Sequence, residues 1–246
     1  MLRDHVPQAL QADPRFHWRG GDISRLESLT DAAFAFALTL LAISGEVPRT
    51  FRELQTAMIE FPAFLVCAAV LVMVWFFHYR YHRRFGLEDT PSVLFNMALL
   101  VLVLFYVYPL KFMFSMLWRQ IRTGSAEVVL DDGTHAAMIS RADSQTLMYF
   151  YGAGFAAIFL LFGLMYVHAW RRRKVLQLGE VERFMVRVEV GAHLFSSAVG
   201  LLAVAIAAAG THAVPLAGFS FFLLPLGHTI LGFVNARRFR RRFGAS

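Results

Sequence analysis

The sequence predicts an all-α integral membrane protein with six transmembrane helices and both termini in the cytoplasm. Three observations lead there. Hydrophobic residues make up 57% of the 246 and charged residues only 17%, against about 25% charged in a typical soluble domain. The apolar residues gather into six runs, each near the roughly 20 residues a helix needs to cross a bilayer. Short arginine clusters fall at alternate ends of those runs, the pattern that sets membrane orientation.

The six runs are Leu29–Val47, Phe61–Tyr79, Ser92–Leu117, Thr146–Trp170, Val188–Gly210 and Ala213–Val234. No stretch outside them can build a core of its own. One membrane domain over 25–236 is therefore expected, between an N-terminal tail (1–24) and a basic C-terminal tail (237–246), both cytoplasmic. The tail before the first run is polar and holds Pro7 and Pro14, with no short apolar run before a small-residue cleavage site, so no cleavable signal peptide is expected. Eighteen Lys and Arg residues fall on the side of the two tails and the second-to-third and fourth-to-fifth connections, and five on the other side. That asymmetry assigns the basic side to the cytoplasm.

The net charge of +7 thus reports topology. Arg171–Lys174 and Arg237–Arg242 are expected to meet anionic lipid head groups. No nucleic-acid-binding motif accompanies them. Cys67 is the single cysteine, which excludes an internal disulfide, and it sits in an apolar run as a small core residue.

The first helix opens with Arg25-Leu-Glu-Ser-Leu-Thr-Asp31 and continues Ala-Ala-Phe-Ala-Phe-Ala-Leu-Thr-Leu-Leu-Ala-Ile43. Asp31 is a carboxylate about one turn inside it. Intramembrane acids are costly and are paired or functional, although Thr30 or Asp31 could equally cap the helix N-terminus. Arg25 and Asp31, six residues apart, face different directions on a regular helix, so the partner of Asp31 is expected from another helix. Further along, Phe36, Leu40 and Ile43 recur at i, i+4 and i+7, with Val47 next. Ala32, Ala33, Ala35, Ala37 and Ala42 permit close helix packing.

The second helix ends with Trp75-Phe-Phe-His78, and the third begins with Asn96 in an apolar setting. Topology brings Asp31, His78 and Asn96 to one depth, where a polar cluster would clamp three helices together. His78 and His82 stand at i, i+4, a metal-compatible spacing, but no third ligand is apparent and no metal or other cofactor is expected. Lys111 follows Tyr106, Tyr108 and Pro109 near the far end of the third helix, where a lysine snorkels. The connection from Trp118 to Gln145 contains Asp131, Asp132 and Gly133, a turn signal. His168, His193, His212 and His228 read as packed or interfacial histidines. The fifth and sixth runs are separated by Thr211 and His212, a tight hairpin.

Arg25-x-x-x-Leu29-Thr30-Asp31 resembles the R-x-x-x-F-S-D signature of the transmembrane protein 175 family, the endosomal and lysosomal potassium channels and their bacterial homologues. The alanine- and phenylalanine-rich run after it, Trp75-x-x-His78 and the Asn96 segment are also similar. The likeness covers residues 22–112. It implies a homotetramer of six-helix chains in a bacterial plasma membrane, with the four first helices lining a potassium-permeable pore that other monovalent cations could share. Arg25, Leu29, Thr30, Asp31, Trp75, His78 and Asn96 would hold the bundle. Apolar layers at Phe36, Leu40 and Ile43, with Thr39 beside them, would gate and filter the pore. Leu29, Thr30 and Phe36 depart from the family's Phe, Ser and Ile or Leu. The sequence carries no carbonyl filter segment and no recognisable catalytic pair, so no enzyme is expected. A proton-coupled or other secondary transporter using Asp31 and the histidines is the second reading.

Overall fold

The structure, a computed structural model, describes residues 15–43, 47–129 and 134–244. Among these, the chain runs through α1 (Arg25–Ile43), α2 (Phe51–Phe85), α3 (Thr90–Thr123), a short antiparallel pair β1 (Glu127–Val129) and β2 (His135–Ala137), α4 (Arg141–Arg171), α5 (Glu180–Ala207), α6 (Val214–Ser220) and α7 (Leu223–Phe243). In the strand pair Glu127 faces Ala137 and Val128 faces Ala136. The expected Asp131–Gly133 turn lies outside the described residues. Helices α2, α3, α4, α5 and the interrupted segment 211–243 are long and apolar enough to cross a membrane. The protein is a multi-pass, all-helical membrane protein.

Cap residues account for the helix boundaries. Ser24 and Glu27 satisfy each other's backbone at the start of α1, with Glu27 N donating to Ser24 Oγ at 3.1 Å and Ser24 N to Glu27 Oε2 at 3.2 Å. This S-x-x-E capping box starts the helix four residues before the expected Leu29. Neither Thr30 nor Asp31 is therefore the cap. Thr30 Oγ1 turns back to the carbonyl of Leu26 at 2.8 Å. At its other end α1 stops at Ile43, and Val47 is 83% exposed outside any helix. Thr50 caps α2, and Gly86 ends it in the left-handed region at φ 57, a conformation that glycine adopts without strain.

The last expected span is one segment in two helices. Pro225 has no amide to offer the carbonyl of Phe221. The chain tightens there into i→i−3 bonds, Phe221 to Gly218, Phe222 to Phe219 and Leu224 to Phe221, which separates α6 from α7. Helix α7 then runs to Phe243, so Arg237–Arg242 extend a helix beyond the apolar run.

The core lies between α1, α2, α3 and α4, around Phe34, Leu41, Leu71, Tyr81, Leu99, Val103, Phe162 and Tyr166. Helices α4 and α5 form the closest pair. A methyl group placed on Gly200 would sit 2.8 Å from the carbonyl oxygen of Gly152 and 3.0 Å from the Cβ of Ala156. Ser197 Oγ donates to the Ala156 carbonyl at 2.9 Å. Small residues let the backbones meet, as packing inside a bilayer requires. Replacing Gly200 with Val should force α4 and α5 apart and destabilise the protein by about 1–3 kcal/mol, the range for overpacking. A lowered midpoint of thermal unfolding in detergent measures this, while Gly191→Val, which meets open space, serves as control.

Candidate functional site

Helix α1 has two faces. Glu27, Thr30, Phe34, Ala37 and Leu41, spaced three or four apart, are buried against α2 and α3. The opposite face carries Leu29 at 50% exposure, Ala32, Phe36 at 54% and Thr39. Leu40 sits at the seam, half-buried, and the side chain of Ile43 lies outside the described residues. Thr39 Oγ1 is turned to its own helix, donating to the Ala35 carbonyl at 2.9 Å. Of the apolar stripe noted in the sequence, Phe36 lies on the outward face and Leu40 at its edge, and a second stripe makes the packing seam.

Asp31 finds its partner on α2. Trp75 Nε1 donates to Asp31 Oδ1 at 2.8 Å, while the Trp75 ring stacks on Tyr79 at 5.5 Å between centroids. Asn96 of α3 bonds instead to two histidines. His78 Nε2 lies 2.5 Å and His82 Nε2 3.2 Å from Asn96 Oδ1, and Asn96 Nδ2 donates to the Ser92 carbonyl at 2.7 Å. With its amide committed to Ser92, Asn96 presents only its oxygen, so both imidazoles act as donors through Nε2. The single Asp31–His78–Asn96 cluster expected from topology is therefore two contacts. Residues at i, i+3 differ by 60° around a helix axis: Trp75 reaches α1 while His78 reaches α3. Phe34 of α1 still touches the His78 ring, 6.3 Å between centroids. Arg25 is exposed and makes no ion pair among the described residues. Within that set no group of three metal-ligating side chains occurs.

The sequence reading missed the ionic layer at the basic end of the bundle. Arg83, buried on α2, donates through Nε to Glu27 Oε1 at 3.1 Å, adds a second, shorter bond from Nη2, and reaches the Gly21 carbonyl from Nη1 at 3.1 Å. Arg80 and Arg84 both pair with Glu189 of α5 at 2.9 Å. Arg19 forks onto both oxygens of Glu182 at 2.7 Å, and its Nε donates to the Leu176 carbonyl. Asp89, the N-cap of α3, accepts from His168 at 2.9 Å and pairs with Arg172 at 3.1 Å. Burial pushes the Asp89 carboxyl up, but the Ser92 and His168 hydrogen bonds outweigh it and hold the group below the usual aspartate range. Signals for part of this layer were present. Ser24-x-x-Glu27 is a capping box, and Glu182 and Glu189 are seven apart, on one face of a helix within an otherwise basic stretch.

Residues 25–106 match the model of the endosomal/lysosomal potassium channel TMEM175 family. A potassium channel of Marivirga tractuosa is 34% identical over 233 residues, covering 93% of this chain and 94% of that one. The chain belongs to the TMEM175 family. Its fold is similar to the crystal structure of a threonine-to-alanine variant of the potassium channel MtTMEM175 bound to a nanobody–MBP fusion. The TM-score is 0.80, with 31% identity over 93% of this chain and all of the other. A lysosomal potassium-selective channel TMEM175 homologue from Chamaesiphon minutus shares the fold at a TM-score of 0.50 and 20% identity, over 81% of this chain and 96% of its own. Every contact of Asp31, Trp75, His78 and Asn96 described above falls inside the stretch that matches the TMEM175 model.

Asp31 and Trp75 should behave as a unit. Asp31→Asn and Trp75→Phe are each expected to lower stability, and their double mutant should show a coupling of about 1 kcal/mol, because Trp75→Phe removes the hydrogen bond and Asp31→Asn removes the charge that strengthens it. The coupling of Asp31→Asn to His78→Ala should be smaller. Unfolding of the wild type, the three single mutants and the two double mutants in the same detergent gives both terms.

Proposed function

We propose that this protein is the subunit of a homotetrameric, potassium-permeable cation channel whose pore is lined by the outward face of α1. One observation carries the reading: Leu29, Ala32, Phe36 and Thr39 of α1 face away from the bundle while the helix is fixed along its other side. A lone helix face encloses no conduit. Four copies around a symmetry axis do, and a small-residue, apolar helix held on its back side can stand beside such an axis. The relatives named as potassium channels supply the ion.

In this pore the filter consists of side chains. Rings of Phe36, Leu40 and Ile43 form successive apolar constrictions, with Thr39 hydroxyls between them. An ion entering a narrow apolar ring loses part of its hydration shell, and the ring dewets when it narrows, so the same layers filter and gate. Phe36 is the bulkiest of the three and lies closest to Asp31. Asp31–Trp75 and the Asn96–His78–His82 network hold the helices around the entrance. Arg25, which has no ionic partner within its own described subunit, stands at the mouth, where neighbouring subunits would approach. The basic end faces the cytoplasm of a bacterium, and Arg171–Lys174 and Arg237–Arg242 lie among anionic lipid head groups. Potassium and other monovalent cations, lipid and further copies of the chain are the partners. Nucleic acid and enzymatic turnover have no place in this reading.

Purified protein in liposomes tests it. Flux should follow the potassium gradient alone, and mass analysis in mild detergent should give four chains. Flux strictly coupled to protons would favour the transporter alternative, and a monomer that conducts would overturn the shared pore.

Phe36→Ala should raise conduction and weaken discrimination among potassium, sodium and caesium. Because Phe36 is half exposed, its truncation should cost well below the ~3–5 kcal/mol of a buried phenylalanine. Unchanged conductance with a large stability loss would place Phe36 in a packing seam and remove it from the pore.

A further inference from the structure

Lys111 bonds to the backbone of another helix. From α3 it crosses to α1, and its Nζ lies 3.2 Å from the carbonyl oxygen of Leu41, two residues before the end of that helix. A helix C-terminus carries a partial negative charge. Basic residues in the last turn usually answer that charge, and α1 has none there. An ammonium group, a compact charge with three donors, fits several converging carbonyls better than a planar guanidinium does. The Leu41 side chain is fully buried in the core, so the lysine and the core together fix the backbone of the last turn of α1.

We propose that Lys111 is a positioning residue for ion selection: it clamps the end of α1 farthest from Asp31 and thereby fixes the spacing of the layers at Leu40 and Ile43. The inference rests on the reading of α1 as the pore helix. It places a selectivity determinant on a helix that does not face the pore and outside the 25–106 stretch that matches the family model. Helix α1 is then held at both ends, by Trp75 of α2 on Asp31 and by Lys111 of α3 on Leu41. Among the described residues, no side-chain hydrogen bond from α2 or α3 reaches the half-exposed residues between these two tethers.

The test compares Lys111→Met with Lys111→Arg in the full-length protein. Two readouts are used: the potassium-to-sodium flux ratio in liposomes, and hydrogen exchange of the backbone amides of 38–43. Lys111→Met should lower the ratio by roughly threefold to tenfold, the scale of one lost charge–helix-end interaction. It should also speed exchange in the last turn of α1 while leaving exchange around Phe34 unchanged. Lys111→Arg, which keeps the charge, should stay closer to wild type on both readouts. A folded Lys111→Met protein with unchanged ratio and unchanged exchange would overturn the proposal. If Lys111→Met does not assemble, Lys111→Gln against Lys111→Arg decides it: equal ratios and equal exchange overturn it, and a difference in both supports it. The pore reading is tested separately. In a Cys67→Ser background, Thr39→Cys should be blocked by a charged thiol reagent. No block would mean that α1 is not the pore helix. A block together with an unaltered Lys111→Met ratio would mean that the pore stands and Lys111 does not position it.

Discussion

A charge buried in an apolar bundle must be paired, and the basic end of this protein is organised by that requirement. Arg84 is only 2% exposed and Arg83 only 3%. Leaving either without a carboxylate would cost several kcal/mol. Glu27 answers Arg83, and Glu189 answers Arg84 and Arg80. These three arginines lie on one helix end, yet their partners come from α1 and α5. The pairs therefore bring the first helix and the second half of the chain to the same stem of α2.

The segment before α1 is drawn into the same arrangement. Phe16 is fully buried, in edge contact with Phe85 at 5.4 Å, with the Arg84 guanidinium 4.9 Å from its ring centre. The amides of Arg19 and Gly20 donate to the Arg83 carbonyl. A side chain at Gly20 would meet the His82 carbonyl oxygen at 2.5 Å, so the strap lies against the α2 backbone only because residue 20 is glycine. Arg19 then reaches Glu182 at the start of α5. From Glu182 through Arg19 and Gly20 to Arg83 and Glu27, polar contacts run from α5 to the first turn of α1.

One face of α1 is committed and the other is free. The committed face meets α2 and α3 through Phe34, Ala37 and Leu41, and the polar tethers lie toward its ends. The free face is mostly apolar, and its Thr39 hydroxyl is turned to the Ala35 carbonyl. On the proposed reading this division is useful, because a layer that discriminates by size and dehydration must be placed accurately without being obstructed. Buried packing on one side supplies the placement, and symmetry would supply the enclosure.

The membrane class, the multi-pass helical architecture and the family were legible in the sequence, because hydropathy, charge asymmetry and a compact motif are local or one-dimensional signals. So was the need for Asp31 to find a partner on another helix, since the 100° step of a helix keeps Arg25 off its face. Which partner it finds was not legible. Topology grouped Asp31 with His78 and Asn96, and only the 60° separation of Trp75 and His78 about the packed α2 axis sends Trp75 to α1 and His78 to α3. The arginines of 80–84 and 171–173 carried a topological meaning in the sequence. The tertiary structure gave the buried Arg83 and Arg84 partners 56 and 105 residues away and left the reach of Lys111 to be seen in three dimensions. Hydrophobicity and charge bias act on each segment alone, so sequence suffices for them. Pairing a buried charge depends on the distance and angle between two segments, which exist only once the helices have packed.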